Sequence, residues 1–334
     1  MNEQPVDLVY LWCDMADENW RRKREQTMLA CGRTVDAKSN AGCRAIAHDE
    51  LRYSLRSVAR CAGWIRRIHV VIDDDNRPPA WLQTDGGSLR VVKMSEIMPR
   101  EILPCFCSDT IEHHLANIPD LAERFLYAND DMMFYKPVSP SFFFDEKGRT
   151  VCRFGAGGRR KPGHPRYTTY HACIDNSESL IANSFGYVGE FVKARGKSPH
   201  HNVDAYLKSS MLECRKRFAK EIGESGAFEN PFRSAQNFQR ELYTYFDLAT
   251  GRGVFRRATF NTSASSPWWK KILPHRADSL HFTRKQWYSG PAELKRLRPG
   301  LFCFNDTFDT TEDDRAWLQD VYRELFPEKC IFEK

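Results

Sequence analysis

The 334-residue sequence is 41% hydrophobic and 13% aromatic and carries a formal net charge of +6. A chain of this size can bury one large core or two smaller ones, which indicates a globular protein. It has no run of roughly 18 or more apolar residues and no basic, apolar leader, so we expect neither a membrane span nor export.

The cysteines and the basic clusters limit the cellular setting and the partners. Eleven cysteines without a CxxC pair favour reduced thiols in a cytoplasm over a disulfide framework. The basic runs at 21–24 and 159–161 indicate solvated surface, with an anionic polymer or lipid surface as the alternative. We expect a cytoplasmic protein without a nucleic-acid partner, and a peripheral contact with the inner face of the membrane is left open.

The first half of the chain alternates strand and helix signals. Short apolar runs predict four strands, at residues 6–12, 68–72, 89–94 and 125–128. Apolar residues at helical spacing predict a helix from Asp49 to Ala62 and a helical stretch over 108–125 with a break at Pro119. This order indicates an α/β fold with a mainly parallel sheet.

Three of the predicted strands are followed by clustered carboxylates. These are Asp14, Asp73 to Asp75, and the Asn129, Asp130, Asp131 run. In open α/β sheets ligands bind at the carboxyl ends of the strands, and crowded carboxylates favour Mg²⁺ or Mn²⁺. The alternative is that these residues only cap helices and form turns, which is their commonest role.

The second half of the chain is less regular. Residues 155–170 form a predicted loop rich in Gly, Pro and Arg that lacks a P-loop ending, and helices are predicted over 205–222 and 234–249. His200 and His201 precede these helices, and histidine suits proton transfer near neutral pH. Motifs of metalloproteases, serine hydrolases and zinc fingers do not occur.

Six blocks along most of the sequence carry a family resemblance: DLVYLWCDMADENW, DELRYSLRSVARCAGWIRRIHVVIDDDNRPPAWL, LPCFCSDTIEHHLANIPDLAERFLYANDDMMFYKPVSPSFFF, SPHHNVDAYLKS, FRSAQNFQRELYTYF and LFCFNDTFD. With these blocks the chain resembles the Stealth family of hexose-1-phosphate transferases, which make phosphodiester-linked bacterial capsules and include the animal GlcNAc-1-phosphotransferase. The chain departs from the family at Cys107, where members commonly have Asn, and at CDMAD, where VDGSD is usual.

The resemblance implies a role for individual residues. It implies that Asp131 and Asp306 bind Mg²⁺ or Mn²⁺ and that His201 or His200 handles the proton. The implied catalytic residues are His201, His200, Asp131 and Arg233, and the implied substrate-binding residues are Asp14, Asp17, Arg56, Asn129, Asp130, Asn305 and Arg233. Arg233 is expected on the diphosphate; His164, His171 and His281 are the reserve candidates for the base.

The resemblance also implies an activity and a division of the chain. The expected reaction moves a hexose-1-phosphate from a UDP-sugar to a saccharide and releases UMP; a glycosyltransferase that releases UDP, or a binding module without turnover, are the alternatives. The expected segments are a Rossmann-like or GT-A-like nucleotide-sugar-binding core over 1–150, a helical acceptor segment over 151–260, and a segment over 261–334 that returns to the core. The expected partners are the nucleotide-sugar donor and the growing saccharide acceptor.

Overall fold

A mostly parallel sheet forms the centre of the protein. The computed structural model describes residues 4–32, 49–85, 87–224, 231–260, 276–307 and 309–334. In chain order the strands are β1 Val6–Leu11, β2 Arg67–Ile72, β3 Leu89–Lys93, β4 Arg124–Asn129, β5 Met132–Phe134, β6 Thr150–Gly158, β7 Lys197–Pro199, β8 Asp204–Leu207, β9 Gly253–Arg257, β10 Thr259–Phe260, β11 Arg276–Ala277, β12 Ser279–Thr283 and β13 Leu301–Asn305.

The central sheet has the strand order β3-β2-β1-β4-β8. The first four strands are parallel, and β8 is antiparallel at the edge. Near-continuous apolar runs suit strands that are buried on both faces, which explains why the sequence reveals these four. Because Leu11 pairs with both Val71 and Asn129, the carboxyl ends of β1, β2 and β4 meet at one edge of the sheet.

Helices cover both faces of this sheet. They are α1 Glu18–Ala30, α2 Glu50–Cys61, α3 Met94–Ile97, α4 Ser108–Glu112, α5 Thr169–Phe185, α6 Phe191–Ala194, α7 Lys208–Arg217, α8 Ala219–Glu224, α9 Glu241–Thr250, α10 Gly290–Leu297 and α11 Glu312–Leu325. Leu55 of α2 packs with Leu8 and Val70 on one face. On the other face Val9 and Phe125 share a core with α5 and α9. The predicted α/β class with a mainly parallel sheet is therefore confirmed.

Three predicted helices differ from the structure. Residues 205–207 belong to β8, because the edge of β4 offers them backbone hydrogen bonds, and α7 begins only at Lys208. The helix predicted from 234 begins at Glu241, since the Asn237 side chain accepts from the Ser234 amide and closes a turn there. The stretch over 108–125 contains only α4 and a 3₁₀ turn at Leu115–Asn117, which ends two residues before Pro119.

Two three-stranded sheets and the two-stranded sheet β10-β11 accompany the central sheet in the described part of the chain. The three-stranded sheets extend the core. In one, β13 lies between β12, which is parallel to it, and β5, which is antiparallel. In the other, β6 lies between β7 and β9, so the predicted loop over 155–170 begins as the end of β6. The division of the chain at 150 and 260 stays a prediction.

The described residues include ten cysteines, all with free thiols. Within the same residues, we find no helix that has both the length and the apolar character required to cross a lipid bilayer.

Candidate active site

The Asn-Asp-Asp run forms the tight turn between β4 and β5. Asn129 is the last residue of β4, and Asp131 is followed directly by β5. Oδ2 of Asp131 accepts a hydrogen bond from the Cys303 thiol at 3.1 Å. Its Oδ1 is buried and has no hydrogen-bond partner among the described residues. The turn thus holds a carboxylate oxygen that the described chain does not satisfy.

Burial shifts both carboxyl groups of this turn. It raises the pKa of Asp131, an effect that Cys303 and the nearby Asn305 only partly offset. Burial and the neighbouring Asp131 together raise the pKa of Asp130 to about 7. Two crowded carboxylates and one unpartnered oxygen are what a divalent cation would neutralise, so the turn fits such an ion.

The strand β13 brings further polar groups to this turn. Its register places Cys303 opposite Met132 on one side and His281 on the other. The His201 ring lies against the His281 ring, with centroids 5.1 Å apart, and Nε2 of His201 is 3.5 Å from the Asn305 amide nitrogen. Burial, then His281, lowers the pKa of His201 well below its usual range, so the ring is neutral at neutral pH.

His200 belongs to a different set of contacts. Its Nε2 lies 2.7 Å from Oδ1 of Asp204, and Nε of Arg240 donates to Oδ2 of Asp204 at 3.1 Å. Burial alone would raise the pKa of Asp204, but His200 and Arg240 lower it. His200 is therefore held by a buried ion network, whereas His201 faces the carboxylate turn.

This network reaches the Asn-Asp-Asp turn through Tyr127. The Tyr127 hydroxyl lies 2.9 Å from Oε1 of Glu112 and 2.9 Å from Oδ1 of Asn129. Arg240 lies 3.7 Å from Glu112 and over the Tyr127 ring. Burial raises the pKa of Glu112 to about 7, although Arg240 opposes the shift. The side chains of Asn129 and Arg240 are thus linked through two intermediaries.

Arg233 is fixed by α4. Its Nη2 donates to Oδ1 of the buried Asp109 at 2.6 Å and to Oγ of Ser108 at 2.9 Å. Phe106 and Phe232 stack beside it with ring centroids 5.4 Å apart. The Arg233 side chain as a whole remains 37% exposed.

The first block contributes Asp14 and Asp17. Asp17 caps α1 by accepting from the Trp20 amide at 2.9 Å, and Trp20 packs edge-on against Phe106 at 5.4 Å. The Asp14 amide donates to the Asn76 side chain at 3.0 Å, which joins the ends of β1 and β2. Both residues therefore lie at the carboxyl edge of the sheet, and Asp17 starts the helix that packs beside the Arg233 segment.

Two other groups of charges already have partners. The Arg56 guanidinium makes a two-pronged ion pair with Glu333, at 2.7 and 2.8 Å. The turn Asp73 to Asp75 is tied by Lys23, which lies 2.7 Å from Asp75, and by Lys93, which donates to backbone carbonyl groups of the turn. These contacts account for Arg56 and for this turn without a ligand, and substrate binding by Arg56 stays a prediction.

Asp306 follows directly on Asn305 at the end of β13. Its Oδ1 accepts from the Thr307 amide at 2.7 Å, and its Oδ2 lies 3.9 Å from Nε of Arg315. Its place beside Asn305 keeps it at the end of the strand that contacts Asp131. A metal shared by Asp131 and Asp306 stays a prediction.

Sequence reasoning missed several members of these networks, among them Asp204, Arg240 and Cys303. His200 and Asp204 are four residues apart, and Cys303 and Asn305 share one face of a strand because their spacing is two. Those spacings were available as signals. The pairing of β13 with β5, which brings Cys303 next to Asp131, has no such signal in the sequence. Of the reserve histidines, His171 accepts a hydrogen bond from the Thr168 amide at the start of α5. His281 is the reserve histidine whose ring contacts the His201 ring.

A polar site at the carboxyl edge of a mainly parallel sheet is typical of ligand-binding α/β proteins. The family model for conserved region 2 of the Stealth proteins matches residues 44–152 of this chain. That match includes the Asn-Asp-Asp turn and α4. The resemblance read from the sequence is thereby confirmed.

Curated relatives extend the match to most of the chain. The exopolysaccharide phosphotransferase SCO6021 of Streptomyces coelicolor is 32% identical over 99% of this chain and 57% of its own length. The exopolysaccharide phosphotransferase CpsY of Mycobacterium tuberculosis strain H37Rv is 32% identical over 90% of this chain and 52% of its own length. The chain thus spans little more than half the length of these relatives.

Among solved structures, the chain is similar to the galactosyltransferase LgtC in complex with donor and acceptor sugar analogues. The match covers 97% of this chain and 96% of the LgtC chain. The TM-score is 0.46 and the identity 12%. A likeness of that size is too weak to support a functional conclusion.

Proposed function

We infer that this chain transfers a hexose-1-phosphate, of the N-acetylhexosamine class, from a UDP-sugar to a saccharide hydroxyl. The products are a phosphodiester-linked exopolysaccharide and UMP. The names of the curated relatives, exopolysaccharide phosphotransferases, support the class of reaction. The donor, the sugar and the leaving nucleotide come from the family resemblance.

The observation that carries the proposal is the unpartnered Oδ1 of Asp131, whose Oδ2 contacts Cys303, which in turn lies beside the neutral His201. Asp131 and Asp306 are the residues proposed to hold Mg²⁺ or Mn²⁺, which when bound neutralises diphosphate oxygens. A carboxylate serving only as a turn former would be expected to use both oxygens on backbone amides. Asp131 instead leaves one oxygen for a ligand.

The other residues then have distinct tasks. An unprotonated ring nitrogen of His201 accepts the proton of the acceptor hydroxyl as that oxygen attacks the β-phosphorus. The bond between the β-phosphorus and the bridging oxygen breaks, and UMP leaves. Arg233, held by Asp109 and part exposed, offers a planar donor group to the diphosphate. Asp109 keeps that guanidinium in place between turnovers.

The second candidate is a metal-dependent glycosyltransferase, which the same carboxylates at strand ends favour. Its acceptor attacks the anomeric carbon instead of phosphorus, so the sugar leaves its phosphate behind and UDP is released. The two reactions therefore differ in the nucleotide product and in whether phosphorus enters the saccharide.

The test is product analysis with a panel of UDP-sugars, Mg²⁺ or Mn²⁺, and a short saccharide acceptor. We expect UMP and a phosphorus-containing saccharide, no turnover in excess EDTA, and recovery when the metal is restored. Release of UDP would replace the proposal by the glycosyltransferase. Binding of UDP-sugar without any product, under conditions in which Asp131→Asn binds equally well, would leave only a binding module.

A further inference from the structure

A cluster of nitrogen and sulfur donors lies beside the carboxylate turn. It consists of His201, His281 and Cys303, and one ligand atom of each lies within 4.8 Å of the other two. The pairing of β12 with β13 sets His281 next to Cys303, and the packing of the two imidazole rings adds His201. Three separate parts of the chain thus converge on one point.

The chemistry of these donors differs from that of a magnesium site. Mg²⁺ selects carboxylate, carbonyl and water oxygens, whereas two imidazoles and a thiolate suit Zn²⁺ and its neighbours among the transition metals. Around a tetrahedral zinc ion with bonds of roughly 2.0–2.3 Å, ligand atoms lie roughly 3.3–3.7 Å apart. The three ligand atoms, which lie within 4.8 Å of one another, would move closer together to reach that spacing when an ion binds.

Asp131 supplies an independent sign of a cation at this place. Its Oδ2 is 3.1 Å from Sγ of Cys303, and its Oδ1 is buried without a partner among the described residues. A carboxylate in contact with a metal-binding thiol supplies negative charge next to the site, which favours a divalent ion. The Asn305 amide, 3.5 Å from Nε2 of His201, helps to fix the position of that ring.

We propose that His201, His281 and Cys303 bind a transition-metal ion of the Zn²⁺ class, with Asp131 at its border. This site is distinct in chemistry from the Mg²⁺ or Mn²⁺ site inferred for transfer, although the two share Asp131. Its existence does not depend on the proposed function, because it follows from the donor set alone.

The test begins with metal-free protein, prepared with a chelator that is then removed. Zn²⁺ binding is measured by metal analysis after dialysis, and Co²⁺ serves as a spectroscopic probe. We expect one tight Zn²⁺ per chain that excess Mg²⁺ does not displace. Bound Co²⁺ should show the visible bands of a four-coordinate ion and a near-ultraviolet thiolate charge-transfer band.

Variants locate the ion. Cys303→Ser should abolish the charge-transfer band, and His281→Ala should weaken Zn²⁺ binding by more than the roughly 10- to 100-fold cost of losing an outer-shell partner. His281 is exposed, so that variant should fold even if the buried Cys303 tolerates no change. The matched controls are Cys31→Ser and His164→Ala, both at exposed positions, which should bind as the wild type does. Failure of the wild type to retain Zn²⁺, or equal retention by His281→Ala, would overturn the proposal.

A second measurement connects this site with turnover and rests on the proposed function. A lone pair of His201 that is bound to a metal cannot accept a proton, so Zn²⁺ should inhibit the Mg²⁺-supported transfer, and His281→Ala should require at least tenfold more Zn²⁺ for the same inhibition. Zn²⁺ binding without inhibition would keep the metal site and remove His201 as the base. Absence of transfer would count against the proposed function alone, since binding is measured separately.

Discussion

Asp7 and Asp131 are aspartates at opposite ends of the same sheet, and they differ in their hydrogen-bond partners and in the direction of their pKa shifts. Asp7, near the start of β1, is fully buried and accepts from Arg66, His69 and the amide of Ala122. Burial would raise its pKa, but these partners lower it to about 2. Asp131, beyond the end of β4, keeps a raised pKa and an unpartnered oxygen.

The difference teaches how to separate a structural carboxylate from one kept for a ligand. A buried charge stabilises a fold only when its partners repay the loss of hydration, as they do for Asp7. Asp131 has only the Cys303 thiol on Oδ2 and the nearby Asn305, which do not offset the effect of burial, so its charge is a cost to the folded chain that a bound cation would remove. Buried, under-satisfied groups with perturbed pKa values concentrate at functional sites.

The largest expected effect is on turnover, and it tests the role of Asp131, whose Oδ1 has no partner among the described residues. Asp131→Asn should lower turnover roughly 10³-fold or more, because a metal-linked carboxylate contributes several kcal/mol to the transition state. Thermal unfolding in EDTA should stay unchanged or shift upward, since a buried charge without partners is removed. Turnover close to that of the wild type would place Asp131 in the same structural class as Asp7.

The adjacent histidines extend the comparison. His201→Ala should cut turnover roughly 10²- to 10⁴-fold with a small effect on donor binding, as expected for a lost proton acceptor. His200→Ala should act mainly on stability, because it breaks the contact with Asp204. Turnover and urea unfolding of both variants decide the matter. If only His200→Ala abolishes turnover while its stability is retained, the roles are reversed.

The variant Asp7→Ala tests the role of the hydrogen-bonded carboxylate near the start of β1. Removing this carboxylate leaves the Ala122 amide and the His69 ring, both buried, without their acceptor, while the partly exposed Arg66 can be hydrated, so we expect a loss of roughly 1–3 kcal/mol in the free energy of unfolding. Asp85→Ala, at an exposed position, is the matched control and should change stability by less than about 0.5 kcal/mol. A loss below about 1 kcal/mol at Asp7 would show that its partners contribute little.

Two arginines repeat the contrast on a smaller scale. Arg233→Ala should raise the KM for the donor by roughly 10- to 100-fold, the cost of losing hydrogen bonds to a charged ligand. Arg56→Ala is the control, because that guanidinium is occupied by Glu333. It should reduce stability and leave the donor KM within about threefold. An equal rise in KM for Arg56→Ala would restore its predicted role in substrate binding.

The smallest effect is the response to acid. Because the pKa of Asp7 falls from 3.8 to about 2 on folding, its contribution is complete above the unfolded value and is lost as the pH falls toward 2. The amount is about 2 kcal/mol at most, since part of Arg66 is solvated. Urea unfolding of the wild type and Asp7→Asn at pH 5, 3 and 2 should show the difference between them shrinking. A constant difference would mean that the charge of Asp7 is not what its partners recognise.

The sequence predicts the local parts of this architecture well. The four parallel strands follow from continuous apolar runs, and the carboxylates follow from their position directly after those runs. The position of the Asn-Asp-Asp run at the end of β4 could thus be predicted in advance. Helix starts at Lys208 and Glu241 could not, because an edge strand and a side-chain turn replace helix where tertiary partners are available.

Long-range pairing limits prediction of the rest. Cys303 becomes a neighbour of Asp131 only through β13, and Asp204 becomes a partner of His200 and Arg240 only after β8 joins β4. Neither pairing leaves a periodic signal in the sequence. Nothing local in the sequence reveals the ion pair between Arg56 and Glu333, which is 277 positions away.

The antiparallel contact between β5 and β13 also determines the order in which parts of the protein fold during synthesis. Asp131 and Cys303 are 172 positions apart, so their contact closes a very long loop, and such closures come late because their entropy must be overcome first. During synthesis the ribosome releases the four parallel strands long before residues 301–305 emerge. A nascent chain can therefore form its central sheet before the candidate active site is complete. The site is completed when β13 has been synthesised and pairs with β5.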